Sequence, residues 1–560
     1  MIESLATALA GRQVGILAAV LATTAAFLLP TPRGRALAAL AALASVPALI
    51  LSEIWSSDQL AALRDRPLLV VAALAVAFAA SGALAAAMLR RPEALALLAV
   101  LALPFRIPLE AGGETALLLV PLYLVVGAGV LAYGWARLSP WRQGEPVFAV
   151  EERRPRMLEL ALLGFLALYA LQTLYSTDVD AALKNIAFFY IPFALLLRML
   201  CVLRWSGRLA LQCLAVAVVL AFVFVSVGFW EYATQQVLWN PKVMASNEIK
   251  PYFRVNSLFF DPNVYGRFLA MVMAGLAGAL LWSGTKRSFG LAIGALAVLL
   301  AGLLLTFSQS SLTALMVALT VLAVLRWRFR SVAIAAGALL IAGVAVVVAA
   351  PGLVNLDAAS KRSLDSATSG RANLVSGGVR MFADRPVFGF GSGSFAERFR
   401  AREGVRDELT AAESHTIPIT VAAEQGLLGL AAYALLLVVT LRLLLGGLRP
   451  LRGPPPQPLA LVAAGVLAAQ SCALLVHTLL YAAFLEDPTT WTLLAVAVGL
   501  RVSGEVGSPA AQAPGASGLR PGDHGGASGS AAASAPPSLA IVPADDDGLA
   551  SRVRADRPGP

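Results

Sequence analysis

Charge is what this sequence has least of. Asp, Glu, Lys and Arg make up 14% of 560 residues, where soluble globular chains run near ~25%, and that excludes an ordinary soluble protein. Cysteine is almost as scarce. Cys201, Cys213 and Cys472 lie in or beside apolar segments, with no CxxC and no Cys/His cluster, so neither a disulfide framework nor a structural zinc site is indicated. Histidine occurs three times, at His415, His477 and His524, which leaves few groups able to exchange a proton near neutral pH. The Gly-rich stretch 389-GFGSGSF-395 lacks the strand–turn–helix setting of a dinucleotide loop, and no Walker loop is present.

What the chain does have is apolar blocks. It is 58% hydrophobic, with a mean hydropathy of +0.76. Runs such as 67–89 and 331–350 match the length that crosses a ~30 Å hydrocarbon core. Spans are expected at about 14–29, 36–51, 67–89, 94–103, 115–134, 157–174, 183–203, 209–230, 264–283, 288–306, 312–325, 331–350, 418–448, 459–485 and 489–501. The fourth is short enough to be re-entrant, and 418–448 long enough to include an interfacial turn. The expected fold is therefore all-α, a polytopic integral membrane bundle of about 12–15 transmembrane helices with one long external loop. The net charge of +10 comes from Arg in short loops, which sets orientation rather than binding nucleic acid.

The basic loops 135–156, 204–208, 284–287, 326–330 and 442–452 alternate with loops that are not basic. Taking the basic set as cytoplasmic makes 175–182, 231–263, 307–311, 351–417 and 486–488 external; the side of the N-terminus stays open. The chain then divides into N-terminal helices (1–150), central helices with the external loop 231–263 (151–350), a long external loop (351–417), C-terminal helices (418–501) and a tail (502–560). The tail is rich in Gly, Pro, Ala and Ser, and is expected to be a disordered cytoplasmic extension; His524 lies within it.

Polar residues at membrane depth carry the functional signal. His415 closes the long Arg-bearing loop just before an apolar helix, and Glu424 follows nine residues on, inside that helix, where a carboxylate needs a partner. Arg371, Arg380 and Arg385 lie in the loop before it. A second external loop, 254-RVNSLFFDPNVYGR-267, sets Arg254 ahead of the cap-forming Asp261-Pro262-Asn263 and brings Tyr265 toward the mouth of the bundle. Arg offers a fixed charge and a planar fork of donors matched to phosphate oxygens. His477, in an apolar span, reads as a satisfied core residue.

Over roughly 150–500 these segments resemble the O-antigen ligase and polymerase family of bacterial glycan assembly. One carrier is 254-RVNSLFFDPNVYGRFLAMVMAG-275. The other is 369-SGR-371, 384-DRPVFGFGSGSF-395 and 415-HTIPITVAAEQGLLGL-430, in which His415 and Thr416 precede Gly426 and Gly429 at the family spacing. Thr416 stands where Asn, Ser or Gln is usual. In 306-TFSQSSLTAL-315, Gln309 stands where Arg is common, which removes one possible phosphate contact. The resemblance implies transfer of a glycan from an undecaprenyl diphosphate carrier to a glycan, lipid or protein acceptor. It places the reaction on the external face of a bacterial cytoplasmic membrane, without cofactor, nucleotide or metal. His415 would be the general base, Arg254 and Arg371 would hold the lipid diphosphate, and Glu424, Tyr265 and Arg385 would support them. Glu424 would either orient His415 or pack against a neighbouring helix. A polysaccharide polymerase of the same family, a small-anion transporter and an inactive scaffold are the alternatives.

Overall fold

The computed structural model describes residues 2–54, 67–111, 114–139, 156–249, 252–282, 286–327, 329–332, 334, 371–403, 416–481 and 484–504, all within one compact unit, Met1–Ala511. All but residues 331, 332 and 334 of the expected span 331–350, and the tail beyond 504, lie outside the described residues.

Ten helices among the described residues are long and apolar enough to cross a membrane, and four shorter apolar ones accompany them. In chain order the helices are α1 (Ile2–Leu28), α2 (Pro32–Ile54), α3 (Pro67–Arg90), α4 (Glu93–Ala102), α5 (Val120–Leu138), α6 (Met157–Gln172), α7 (Val179–Cys201), α8 (Gly207–Thr234), α9 (Pro241–Ile249), α10 (Pro262–Trp282), α11 (Lys286–Leu305), α12 (Gln309–Arg326), α13 (Arg371–Asp384), α14 (Phe395–Glu403), α15 (Ile417–Leu445), α16 (Leu459–Leu480) and α17 (Pro488–Val502). Leu68, Phe78, Val219 and Leu291 are exposed on this bundle. Together with the apolar spans, such side chains mark an outer surface solvated by lipid. The chain is a multi-pass membrane protein of all-α architecture.

Two local features depart from the sequence reading, and the fourth span is as short as expected. The span expected at 115–134 begins later, at Val120, where Pro121 fits the first turn. Ahead of it an antiparallel hairpin pairs β1 (Ile107–Ala111) with β2 (Glu114–Leu118), Ile107 opposite Leu118. The helix α4 has ten residues, a rise of only ~15 Å, too short to cross. The loops expected at 231–263 and 351–417 contain α9, α13 and α14.

The loops sort to two ends. At one end Ser176 Oγ donates to Ser392 O (2.7 Å), Arg254 Nε to Thr306 O (2.9 Å), and Tyr481 Oη to Asp261 Oδ2 (2.8 Å). At the other, Trp282 Nε1 donates to Leu451 O, Arg326 to Gly453 O, and Arg501 to Leu444 O and Gly446 O. The basic loops around 326 and 442–452 thus share one end. The described parts of the loops read as external meet at the other.

Candidate functional site

The first half of the site is the turn that leads into α10. Glu231, buried near the end of α8, accepts from Leu238 N, Asn256 N and Ser257 N. Three donors on one carboxylate hold the segment 254–257 against the helix end. Asn247, on α9, accepts from Arg254 N and donates to Arg254 O, both at 3.0 Å. The backbone around Arg254 is therefore fixed, and its half-buried guanidinium reaches Thr306 O and Asn263 Oδ1 (3.5 Å). Asn263 Oδ1 also accepts from Ser308 Oγ, which caps α12 at Ser311 N. Gln309 is exposed. Asp261 Oδ1 accepts from Asn263 N, and Oδ2 from Tyr481. Burial and the Asp261 carboxylate push the Tyr481 phenol above its ordinary pKa, so it stays neutral and donating.

The second half is a Gly-rich loop seated in a broken helix. Within α15, Gly426 has φ 65° and ψ −156°, a region only glycine occupies without strain. The break exposes backbone groups that loop 386–391 takes up. Phe390 N donates to Ala423 O and Gly391 N to Glu424 O, while Leu427 N donates to Pro386 O. A Cβ at Gly426 would collide with the Val387 carbonyl, and one at Gly389 with the Glu424 carbonyl. The Glu424 carboxylate, buried in α15, accepts from Gly393 N (2.9 Å) and Phe395 N (3.0 Å). It occupies a nest of backbone N–H groups much as a bound anion would. This geometry makes Glu424 the anchor of the loop, a role different from the two expected of it from the sequence. Glu424→Ala leaves two buried N–H groups without an acceptor, and the expected cost is about 1–3 kcal/mol for each, read as a fall in the thermal midpoint of the detergent-solubilised protein. An unchanged midpoint would show that the nest does not need its anion.

Between α8, α10, α16 and α17 lies a cavity of about 460 Å³. Its α10 wall is one helical face, Val264, Arg267, Phe268, Met271, Gly275 and Trp282 among its residues, at the three- and four-residue spacing of a single stripe. From Val264 to Trp282 that stripe rises ~27 Å, close to the hydrocarbon thickness of ~30 Å. The trough is apolar along its length and charged at one end. There Arg267 pairs with Asp487 at 3.0 Å, both buried. Arg106 lines the same cavity, within electrostatic reach of Asp487 and Arg267. Asp487 also caps α17 through Thr489 N. Among the described residues that line the cavity, two cations, Arg106 and Arg267, stand against one carboxylate, Asp487, at this end.

Of the residues singled out in the sequence, Arg254 lies in the turn cluster beside the mouth of the bundle. Arg371 opens α13, which packs on α15; its side chain lies outside the described residues. His415 also lies outside them, next in sequence to Thr416, the residue that precedes the first turn of α15. Tyr265 is fully buried and stacks on Phe259 (centroids 5.4 Å), a packing position. Arg385 is exposed and lies over the Phe390 ring. His477 is buried, with Nε2 3.3 Å from Ser310 Oγ, while Nδ1 has no hydrogen-bond partner among the described residues. Arg106, Arg267, Asp487 and Tyr481 were not singled out. Their only signal was charge or a phenol at a span boundary, and their partners are far off in sequence.

Fold and site together define a polytopic membrane protein whose cavity along α10 suits an amphipathic ligand, apolar along its length and anionic at one end. Residues 294–434 match the family model described as O-antigen ligase, and the chain carries a domain of that family. The matched stretch contains Arg371, the Gly-rich loop, His415, Glu424 and Gly426, and ends within α15. The 254–267 turn lies outside it. No curated protein matches the chain.

Proposed function

We propose that the protein is a membrane glycosyltransferase that moves a glycan from an undecaprenyl diphosphate carrier to an acceptor hydroxyl on the external face of the bacterial cytoplasmic membrane. The observation that carries this reading is the trough along α10, apolar for about a membrane's thickness and lined by two arginines against one carboxylate at the end where the Arg254 turn also lies. A lipid diphosphate has the matching shape, a long apolar chain with a compact anionic head. The head would meet Arg106 and Arg267, with Arg254 and Arg371 holding it from the loops. These cations would neutralise the charge that grows on the departing diphosphate. His415 takes the proton of the acceptor hydroxyl as its oxygen attacks the anomeric carbon. The bond from that carbon to the diphosphate oxygen breaks, and a single displacement inverts the configuration. Glu424 acts indirectly, by holding the Gly-rich loop in the break of α15.

The test is transfer from a purified undecaprenyl-diphosphate-linked glycan in liposomes, with chelator present. Wild type is expected to transfer, and product length then separates a ligase, which adds one preformed glycan, from a polymerase. Arg254→Ala is expected to lower kcat/KM by about 10², with Arg254→Lys intermediate because it keeps the charge and loses the fork. Transfer unaffected by Arg254→Ala would remove that residue from the diphosphate site. A folded wild type that transfers nothing, yet carries anion flux in the same liposomes, would favour a transporter.

A further inference from the structure

A second cavity, of about 180 Å³, opens between α6, α7, the Gly-rich loop and α15. We propose that it seats one sugar ring of the transferred or accepting glycan; this rests on the glycosyltransferase reading above.

Its size is far beyond the ~10–15 Å³ that one water needs and below the ~300 Å³ at which pockets for drug-sized ligands begin, so it suits a single small unit. Its walls combine aromatic faces with hydrogen-bonding groups. Tyr169 and Tyr190 meet edge to face with centroids at 4.9 Å, and Tyr433 meets Phe484 at 5.9 Å. Asn185 Nδ2 donates to Tyr169 Oη at 3.0 Å. Gln425, almost fully buried, lines the same space.

Charge separates the two cavities. Among the described residues, the lining of this one includes the carboxylates Glu424 and Glu486 and no Lys or Arg. A phosphate is therefore repelled here and attracted to the Arg106/Arg267 end of the other cavity, whereas a neutral or amino sugar suits a wall of carboxylates, amides and aromatic rings. The helix α7 is also reshaped at this point. Ile186–Tyr190 is a π-helical turn, a local widening frequent at functional sites. Tyr123 Oη supports it by donating to Phe188 O at 2.8 Å, and the residue before the turn, Asn185, and its last residue, Tyr190, both line this cavity. The two cavities share one wall. Phe484, Leu485 and Glu486 line the smaller, and Asp487 the larger. Ile417 and Thr420, just after His415 in sequence, line the smaller one too.

The experiment measures binding and transfer separately on the full chain in detergent. Saturation-transfer NMR is run with methyl glycosides of glucose, galactose, mannose and N-acetylglucosamine, and with inorganic phosphate. Ala396→Trp fills the cavity from its wall without removing a polar group, and Asn185→Ala removes one; size-exclusion and thermal unfolding check that each is folded. At least one glycoside is expected to bind wild type, and to bind both variants about tenfold more weakly or not at all. In the transfer assay, the KM of the substrate that contributes the ring is expected to rise about tenfold, a loss of about 1.4 kcal/mol, with the other KM unchanged. A rise for the acceptor assigns the ring to it; a rise for the donor assigns it there. If no glycoside binds wild type, if binding survives both substitutions, or if phosphate competes for the same site, the proposal fails. Glycoside binding in a folded protein that transfers no glycan would overturn the glycosyltransferase reading alone, and intact transfer with unchanged KM values in both variants would overturn this one alone.

Discussion

His415→Ala is expected to lose between two and four decades of transfer, the typical contribution of a positioned general base, with correct folding verified by size-exclusion. The expectation follows from scarcity as much as from position. Of the three histidines, His477 is buried among α16, α12 and Tyr481, and His524 lies in a tail of Gly, Pro, Ala and Ser. His415 alone stands at a loop-to-helix boundary, beside the loop that carries Arg371 and the Gly-rich segment. A hydroxyl acceptor needs its proton removed during attack, and no other side chain near that boundary titrates close to neutrality when unperturbed. His524→Ala is the control and should keep the full rate. Equal rates for His415→Ala and wild type would leave the family assignment standing and remove His415 as the base.

Gly426→Ala is expected to abolish folded protein, or to lower its thermal midpoint more than any other single glycine substitution in α15. Three costs add at this position. The backbone conformation costs a residue with a Cβ about 1–3 kcal/mol. The Cβ would also strike the Val387 carbonyl, so loop 386–391 must move. Moving it breaks the backbone bonds from Leu427 N to Pro386 O and from Phe390 N to Ala423 O, each worth about 0.5–1.5 kcal/mol. The total reaches several kcal/mol against a typical stability of about 5–15 kcal/mol. Gly164 in α6 has open space where a Cβ would go, and Gly164→Ala should be neutral or slightly stabilising. Similar midpoints for the two variants would contradict the role given to the break. Gly429 differs again. It has ordinary helical backbone, and a Cβ there would lie 2.2 Å from Gln425 Cβ, an atom fixed to the main chain, so Ala at 429 would shift that turn of the helix without touching loop 386–391.

The spans were legible because bilayer length and apolar composition leave a coarse imprint. Long apolar runs such as those of α8 and α16, 28 and 22 residues, need no partner to be recognised, and the basic loops around 326 and 442–452 do meet at one end. The hairpin at 107–118 escaped because 114–118 is apolar enough to join the following span, and only Pro121 marks where the helix starts. The break at Gly426 escaped for a related reason: one glycine in a long apolar run is usually tolerated in a helix, and its conformation is set by a loop more than thirty residues earlier. Arg254 and the Asp261-Pro262-Asn263 turn were legible through local cap chemistry. The Arg267–Asp487 pair was not, because the pairing spans helices whose packing the sequence does not state.

The seating of 386–391 in the break of α15 has a consequence for access to the site. A segment between two membrane helices, some of it Gly-rich, invites the picture of a lid that swings open for substrate. Here the middle of that segment supplies donors and acceptors that the interrupted helix lacks, and Glu424 holds it from below through Gly393 N and Phe395 N. Lifting it would strand those groups in an apolar surrounding, where each unsatisfied one costs several kcal/mol. The segment is a keystone and not a door. In the proposed glycosyl transfer, the lipid would therefore enter beside it, laterally between helices, and the acceptor from the aqueous end, with 386–395 in place throughout.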